Sequence, residues 1–316
     1  MHRKKEMIFE SKLRVASWLV IFLLLTSCSR QVAHDGVLIA VSIPPQAWFV
    51  SQIAGDKARV LVLAGPGQNP HSYEPGPKQI QSLSSARAWI LSGAEFEISL
   101  LPKVAAVFPH KLIVDGTEGV HFRTLENHEH NNHHRDLEER DHSSLEIDRH
   151  TWLGREPAKI LAAHTRDTLS LVDSGNEAYY RERCEALFEL IDKEFDKLKT
   201  ELAPLEGKIV FVYHPSFGYF LDEFGIFQEA VEEGGKEPSP RQLNSLLAKL
   251  SEERPSAIFV QAQFPVNAAK TLAAATGAQL LDLDPLAEDW LENIRLMGST
   301  LKKSILQTST IKGANK

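Results

Sequence analysis

The chain has 316 residues, 43% hydrophobic and 24% charged, with 35 Lys and Arg against 42 Asp and Glu for a net charge of −7. That length suffices for two lobes that each bury a core, and the composition is that of a globular protein rather than a disordered one. The acidic balance argues against nucleic acid as a partner, and two cysteines are too few for a disulfide scaffold.

Residues 1–27 read as a lipoprotein signal peptide. A basic stretch, MHRKKEMIFESKLR, leads into the apolar run Val15 to Leu25, which is short for a membrane span, and then into Leu25-Thr26-Ser27-Cys28. Cleavage before Cys28 makes that cysteine the lipidated first residue. It also removes five basic and two acidic residues, leaving 30 basic against 40 acidic, or −10. The mature chain is therefore expected outside the cytoplasm, periplasmic or at the cell surface, anchored to a membrane by lipid. Cys184 is then the one remaining thiol, and its place on an apolar stripe marks it as core packing.

From 28 to 155 the pattern is that of an α/β lobe. Predicted strands at Val37 to Ile43, Arg59 to Ala64, Ala88 to Leu91 and Leu112 to Val114 alternate with helices near AWFVSQIAG, Pro77 to Ser85 and Glu97 to Val107. Between 121 and 149 the apolar periodicity collapses into a loop crowded with His121, His128, His130, His133, His134 and His142 among acids and Asn. A solvated linker with incidental histidines is the plain reading of such a stretch. Six imidazoles in so short a span favour an auxiliary metal-binding loop.

Residues 156–205 are helical. Ala158, Leu161, Ala162, Thr165, Leu169 and Val172 form one stripe, and after Asp173-Ser174-Gly175 a second, longer stripe runs through Tyr180, Cys184, Leu187, Phe188, Ile191, Phe195, Leu198 and Leu202. That second helix, Asn176 to Leu202, is predicted to be a rigid spine between lobes, although periodicity alone equally allows a long core helix of one domain. From 206 to 316 the alternation resumes, with strands at Lys208 to Tyr213, Phe227 to Val231, Ala257 to Val260 and Gln279 to Leu283, and helices at Pro240 to Leu250, Pro265 to Thr276 and from Glu288. The expected fold is α/β, two similar lobes with parallel-type sheets flanked by helices, joined by one long rigid helix with a metal cleft between them; a single continuous doubly wound sheet is the alternative.

Open α/β sheets bind ligands at the carboxyl ends of their strands. His214 directly follows the strand KIVFVY, Asp284 follows AQLLDL, His71 lies in the loop leaving RVLVLA, and His150 lies where the loop closes the first lobe. Any one of these histidines taken alone is more often a surface or hydrogen-bonded core residue. Three imidazoles and a carboxylate together suit tetrahedral zinc, whereas manganese recruits more carboxylates. Asp282 is the fallback carboxylate, since alternation points it to the face of Asp284, and Glu74 is a possible partner for the second ring nitrogen of His71.

At these residues the chain resembles the periplasmic zinc-binding (ZnuA-type) solute-binding proteins of ABC transporters. NPHSYEPGPKQIQSLSSARAWILSGAEFE, DRHTWL, VYHPSFGYF and LDLDPL look like the segments that hold that family's ligands. The resemblance implies a metal set of His71, His150, His214 and Asp284, two α/β lobes on one long helix, and a His-rich loop before the second ligand. It also implies no enzymatic activity, a monomer that carries Zn²⁺, and delivery to a membrane permease with its cytoplasmic ATPase. A manganese carrier of the same fold is the alternative, and a zinc hydrolase using the three histidines is a more distant one, since no HExxH occurs. Two positions depart from the family pattern: LGREPAK follows Trp152 where a Ser-Pro-Glu-Asn-like helix start is usual, and Gln261 stands where Glu is frequent.

Overall fold

The computed structural model describes residues 36–125, 147–232 and 237–314, with side chains to 304. The leader, Cys28, and His128, His130, His133, His134 and His142 lie outside the described residues. Two four-stranded sheets form, both entirely parallel. The first contains β1 (Val37–Val41), β2 (Ala58–Val62), β3 (Ala88–Leu91) and β4 (Leu112–Asp115) in the order β2-β1-β3-β4. The second contains β5 (Ile209–Val212), β6 (Phe227–Ala230), β7 (Ala257–Val260) and β8 (Gln279–Asp282) in the order β6-β5-β7-β8. The two lobes thus share one topology, and the single continuous sheet does not form.

Helices cover both faces of each sheet, which is why the strands read as nearly unbroken apolar runs. In β1, Ile39 and Val41 face the central core while Ala40 faces an outer one with Trp89, Phe96 and Leu100. In β5, Val210 and Val212 face the centre while Phe211 packs outward with Ile258, Leu250 and Leu272. The helices of the first lobe are α1 (Pro44–Ala54), α2 (Pro77–Ser82) and α3 (Glu95–Val107). Then come α4 (Arg155–Val172) and α5 (Glu177–Leu202), followed in the second lobe by α6 (Gly218–Asp222), α7 (Pro240–Glu253), α8 (Asn267–Thr276) and α9 (Trp290–Ala314).

The spine is α5, 26 residues long, or about 39 Å at 1.5 Å per residue. Every residue of its predicted stripe is buried except Phe188, which is half-buried against the same core. That core is continuous across the molecule, joining Ile39, Phe49 and Ile90 of the first lobe to Phe220, Phe259 and Trp290 of the second through α5. A second tie is made by two tryptophans: Trp152 Nε1 donates to Pro285 O at 2.7 Å, and Trp290 Nε1 donates to Trp152 O at 2.6 Å. Trp290 also packs on Trp48 and Phe49 of α1, with ring centroids 5.4 and 5.0 Å apart. Among the described residues no helix is long and apolar enough to cross a membrane.

Candidate metal centre

In both sheets the strand order reverses at the first strand, between β1 and β3 and between β5 and β7. Crevices at such switch points, beyond the carboxyl ends of the strands, are where open α/β sheets hold ligands. His71, His150 and His214 come together there, each offering a ring nitrogen within 4.8 Å of the others. Their ring centroids are 4.6 to 5.5 Å apart.

Each histidine is placed by local chemistry. His71 follows β2 in a loop stiffened by Pro70 and Pro75, and its N–H donates to Asn69 Oδ1 at 2.9 Å, an Asx turn that sets its backbone. His150 stands at the head of a 3-10 turn, Thr151–Leu153, with its N–H on Asp148 Oδ1 at 3.0 Å. His214 lies two residues past the end of β5; Gln261 accepts from its N–H at 3.2 Å and donates to its carbonyl at 2.9 Å. That donation explains the departure at 261: a carboxylate cannot give the second bond, so the amide serves as a backbone clamp. Phe264 stacks on the His214 ring at 4.3 Å. The other departure, Gly154, caps α4 with its carbonyl alone, and an added Cβ there would lie 3.0 Å from the Tyr219 side chain.

Every ring is aimed through its second nitrogen. The Nδ1 of His71 lies 3.1 Å from Glu95 Oε2, that of His150 lies 2.8 Å from Asp148 Oδ1, and that of His214 lies 2.6 Å from Glu232 Oε1. An Nδ1–H donated to a carboxylate puts the lone pair on Nε2. The Nε2 atoms of His150 and His214 then face each other at 3.2 Å. Two acceptors so placed repel unless a proton or a cation lies between them. A tetrahedral zinc with nitrogens at 2.0–2.1 Å separates its ligands by about 3.3 Å, so the spacing fits the ion. The cavity beside them, lined among others by His71, Glu95, His150, His214, Gln263 and Leu286, holds about 20 Å³, room for an ion or a single water.

The electrostatics agree. Burial and the two neighbouring imidazoles hold the His214 ring well below the ordinary imidazole value, which favours the neutral, ligating form. Burial alone would raise the carboxyls of Glu95 and Asp148, but hydrogen bonds and charge from His71 and from His150 and Arg123, respectively, hold both below their ordinary values. Glu97, two residues on from Glu95, is pushed up to about 7 by burial and accepts from the backbone N–H groups of Ser92 and Gly93. It secures the turn that presents Glu95 at the start of α3.

Not every expected residue joins the cluster. Asp284 is exposed and lies outside the three-histidine group; its Oδ1 accepts from Gln263 Nε2 at 2.8 Å and from Leu286 N at 2.9 Å, both residues of the cavity wall. Asp282 is exposed at the end of β8, and His121 is exposed on the segment after β4. Glu74, the candidate partner of His71 that reads equally well as a solvated residue, is exposed, and Glu95 takes that place. Asp148, Glu95 and Glu232 are the residues that sequence reasoning missed. Only Asp148 left a local signal, an Asx residue two positions before its histidine.

The family described as zinc-uptake complex component A, periplasmic (ZnuA), matches residues 39–304. Among curated proteins, the zinc-binding lipoprotein AdcA of Streptococcus pneumoniae is 28% identical over 84% of this chain and 53% of its own length, so the chain spans about half of that relative. The high-affinity zinc uptake system protein ZnuA of Yersinia pestis is 26% identical over 78% of this chain and 82% of its own. A crystal structure of ZnuA superposes with a TM-score of 0.77 at 32% identity, covering 85% of this chain and 99% of that one. A manganese ABC transporter substrate-binding lipoprotein, PsaA of Streptococcus mitis, is 26% identical over 77% of this chain and 79% of its own. These are names of metal-binding and uptake proteins, not of enzymes. With two parallel α/β lobes on a long helix and three imidazoles converging between them, the chain belongs to the ZnuA family of periplasmic metal-binding solute-binding proteins.

Proposed function

We propose that this protein captures extracytoplasmic Zn²⁺ in the cleft and delivers it to an ABC-type permease, while tethered to a membrane through a lipidated Cys28. The observation that carries the reading is the pair of Nε2 lone pairs facing at 3.2 Å, each ring held in that tautomer by a carboxylate. Three neutral imidazoles favour zinc over manganese, which prefers oxygen donors. His71, His150 and His214 are the ligands in this reading, and Asp284, anchored by the cavity-lining Gln263 and Leu286, supplies the fourth donor. The names of AdcA and of the Yersinia protein support zinc as cargo, and a ZnuA lacking residues 138–173 of its own chain has been crystallised with zinc bound. The likeness to PsaA supports the manganese alternative.

Competitive titration of the purified chain with Zn²⁺ and Mn²⁺ tests the reading. One tightly bound zinc per chain, lost on His150→Ala, is expected; a preference for Mn²⁺ overturns it. Asp284→Ala is expected to weaken zinc at least about tenfold, the lower range for groups that tune a metal site. Unchanged affinity assigns the fourth position to water.

A further inference from the structure

Arg123 lies on a short stem where Thr124 and Ile147 form an isolated antiparallel bridge and Asp148 N donates to Arg123 O at 2.9 Å. Its guanidinium joins two acids from different lobes. Nη1 donates to Asp148 Oδ2 at 2.7 Å, and Nε donates to Asp222 Oδ2, at the end of α6, at 2.9 Å. The other oxygen of Asp148 is the one that holds the His150 ring. Tyr219, also on α6, closes the circuit: its hydroxyl accepts from Arg123 N and donates to Asp148 O, both at 3.1 Å.

The plain reading is a surface ion pair of little consequence, and it suits the Asp222 half, where the carboxylate is 54% exposed. It does not suit the other half, because the Asp148 side chain is fully buried, and a buried carboxylate that loses its cation is left uncompensated. A second, independent feature points the same way. A Cβ added to Gly218 would lie 1.5 Å from Arg123 Nη1 and 2.9 Å from Asp148 Oδ2. Gly218 does not have a positive φ, so its backbone does not require glycine; the guanidinium does.

We infer that Arg123 is a positioning residue for His150 and latches the two lobes, so that separating α6 from the stem and loosening one zinc ligand are the same event. The inference rests on the zinc reading of the cleft. With the lobes together, Asp222 and Asp148 share one guanidinium, and Asp148 keeps the His150 Nε2 aimed at the ion. When α6 withdraws, Arg123 loses Asp222 and its seat against Gly218, and the hold of Asp148 on the ring slackens.

The test is chelator-driven zinc release from the purified, zinc-loaded chain, followed by stopped flow, together with the visible spectrum of the Co²⁺ form. Arg123→Gln and Gly218→Ala are expected to release zinc about tenfold faster, within the range for groups that orient metal ligands, and to shift the Co²⁺ bands. Asp222→Asn is expected to speed release in the wild-type background but not when added to Arg123→Gln. Variants that melt at lower temperature yet keep wild-type release and Co²⁺ spectrum reduce the network to an ordinary ion pair and overturn the latch. Additive effects of Asp222→Asn and Arg123→Gln overturn the route through Arg123. A wild-type chain that binds no zinc removes the cleft reading itself, and the latch with it.

Discussion

An imidazole that binds a metal through one nitrogen is aimed by whatever holds the other, so Glu95, Asp148 and Glu232 share the work of the three histidines. Replacing Glu232 by Gln keeps the shape but removes the charge that accepts the His214 Nδ1–H at 2.6 Å. Glu232→Gln and Glu95→Gln are each expected to weaken zinc about 10- to 100-fold, measured by competition with a chromophoric chelator; wild-type affinity in both would show that the carboxylates do not tune the site. The same geometry sets a pH dependence. Zinc competes with protons for Nε2, so affinity falls as pH drops, and because the His214 ring is held well below the ordinary imidazole value its share of that loss comes only below about 6.5. Glu95 and Asp148 titrate below their ordinary values in the folded chain. Their stabilisation of the metal-free protein is therefore present above about pH 4 and is lost as pH falls through the folded values, which urea unfolding between pH 6 and 3 would register. At this scale the histidines are legible in the sequence because strand ends mark the cleft. Their carboxylate partners are not: Glu95 and Glu232 arrive from the starts and ends of other elements, and nothing in the spacing of His71 favours Glu95 over the nearer Glu74.

Among the elements, α5 is the most readable, while α6 is announced only by the aromatic-rich helix start SFGYFLDEFG. The stripe on α5 repeats at three and four residues from Tyr180 to Leu202 of the 26-residue helix, so each residue confirms the next. By contrast α6 has five residues and shows no periodicity, yet it carries Gly218, Tyr219 and Asp222. The bonds from Trp152 to Pro285 and from Trp290 to Trp152 are equally silent in sequence, since they join residues 133 and 138 apart. Phe195 shows how α5 seats the second lobe, because its ring packs on Phe220, Phe224 and Trp290 at 6.2, 6.0 and 6.4 Å. Phe195→Ala is expected to destabilise the fold by about 3–5 kcal/mol, as for other buried phenylalanines. Because the core is continuous through α5, that loss should appear as one shifted transition in both near- and far-ultraviolet dichroism. Two separate transitions would mean the lobes unfold independently. Cys184, buried on the same stripe with its thiol pushed up to about 11 by burial, is packing rather than chemistry.

For the whole molecule the question is how the cleft relates to the histidine-rich stretch that interrupts the first lobe. The two chains of that interruption meet at the Thr124 and Ile147 bridge, and paired residues in an antiparallel bridge sit about 4.5–5.5 Å apart. The described residues that flank 126–146 are therefore already adjacent, and a linker of a few glycines can close the gap without moving Arg123 or Asp148. None of the three converging imidazoles comes from the segment. Removing 126–146 is thus expected to leave one tight zinc per chain with its affinity within a few-fold of the parent, while any weaker additional ions bound by the full chain disappear. Isothermal calorimetry on the two proteins separates these outcomes. Complete loss of the tight site on deletion would mean that the loop supplies ligands to the cleft, and the histidine trio would have to be read as an incomplete site rather than the place where the ion is held.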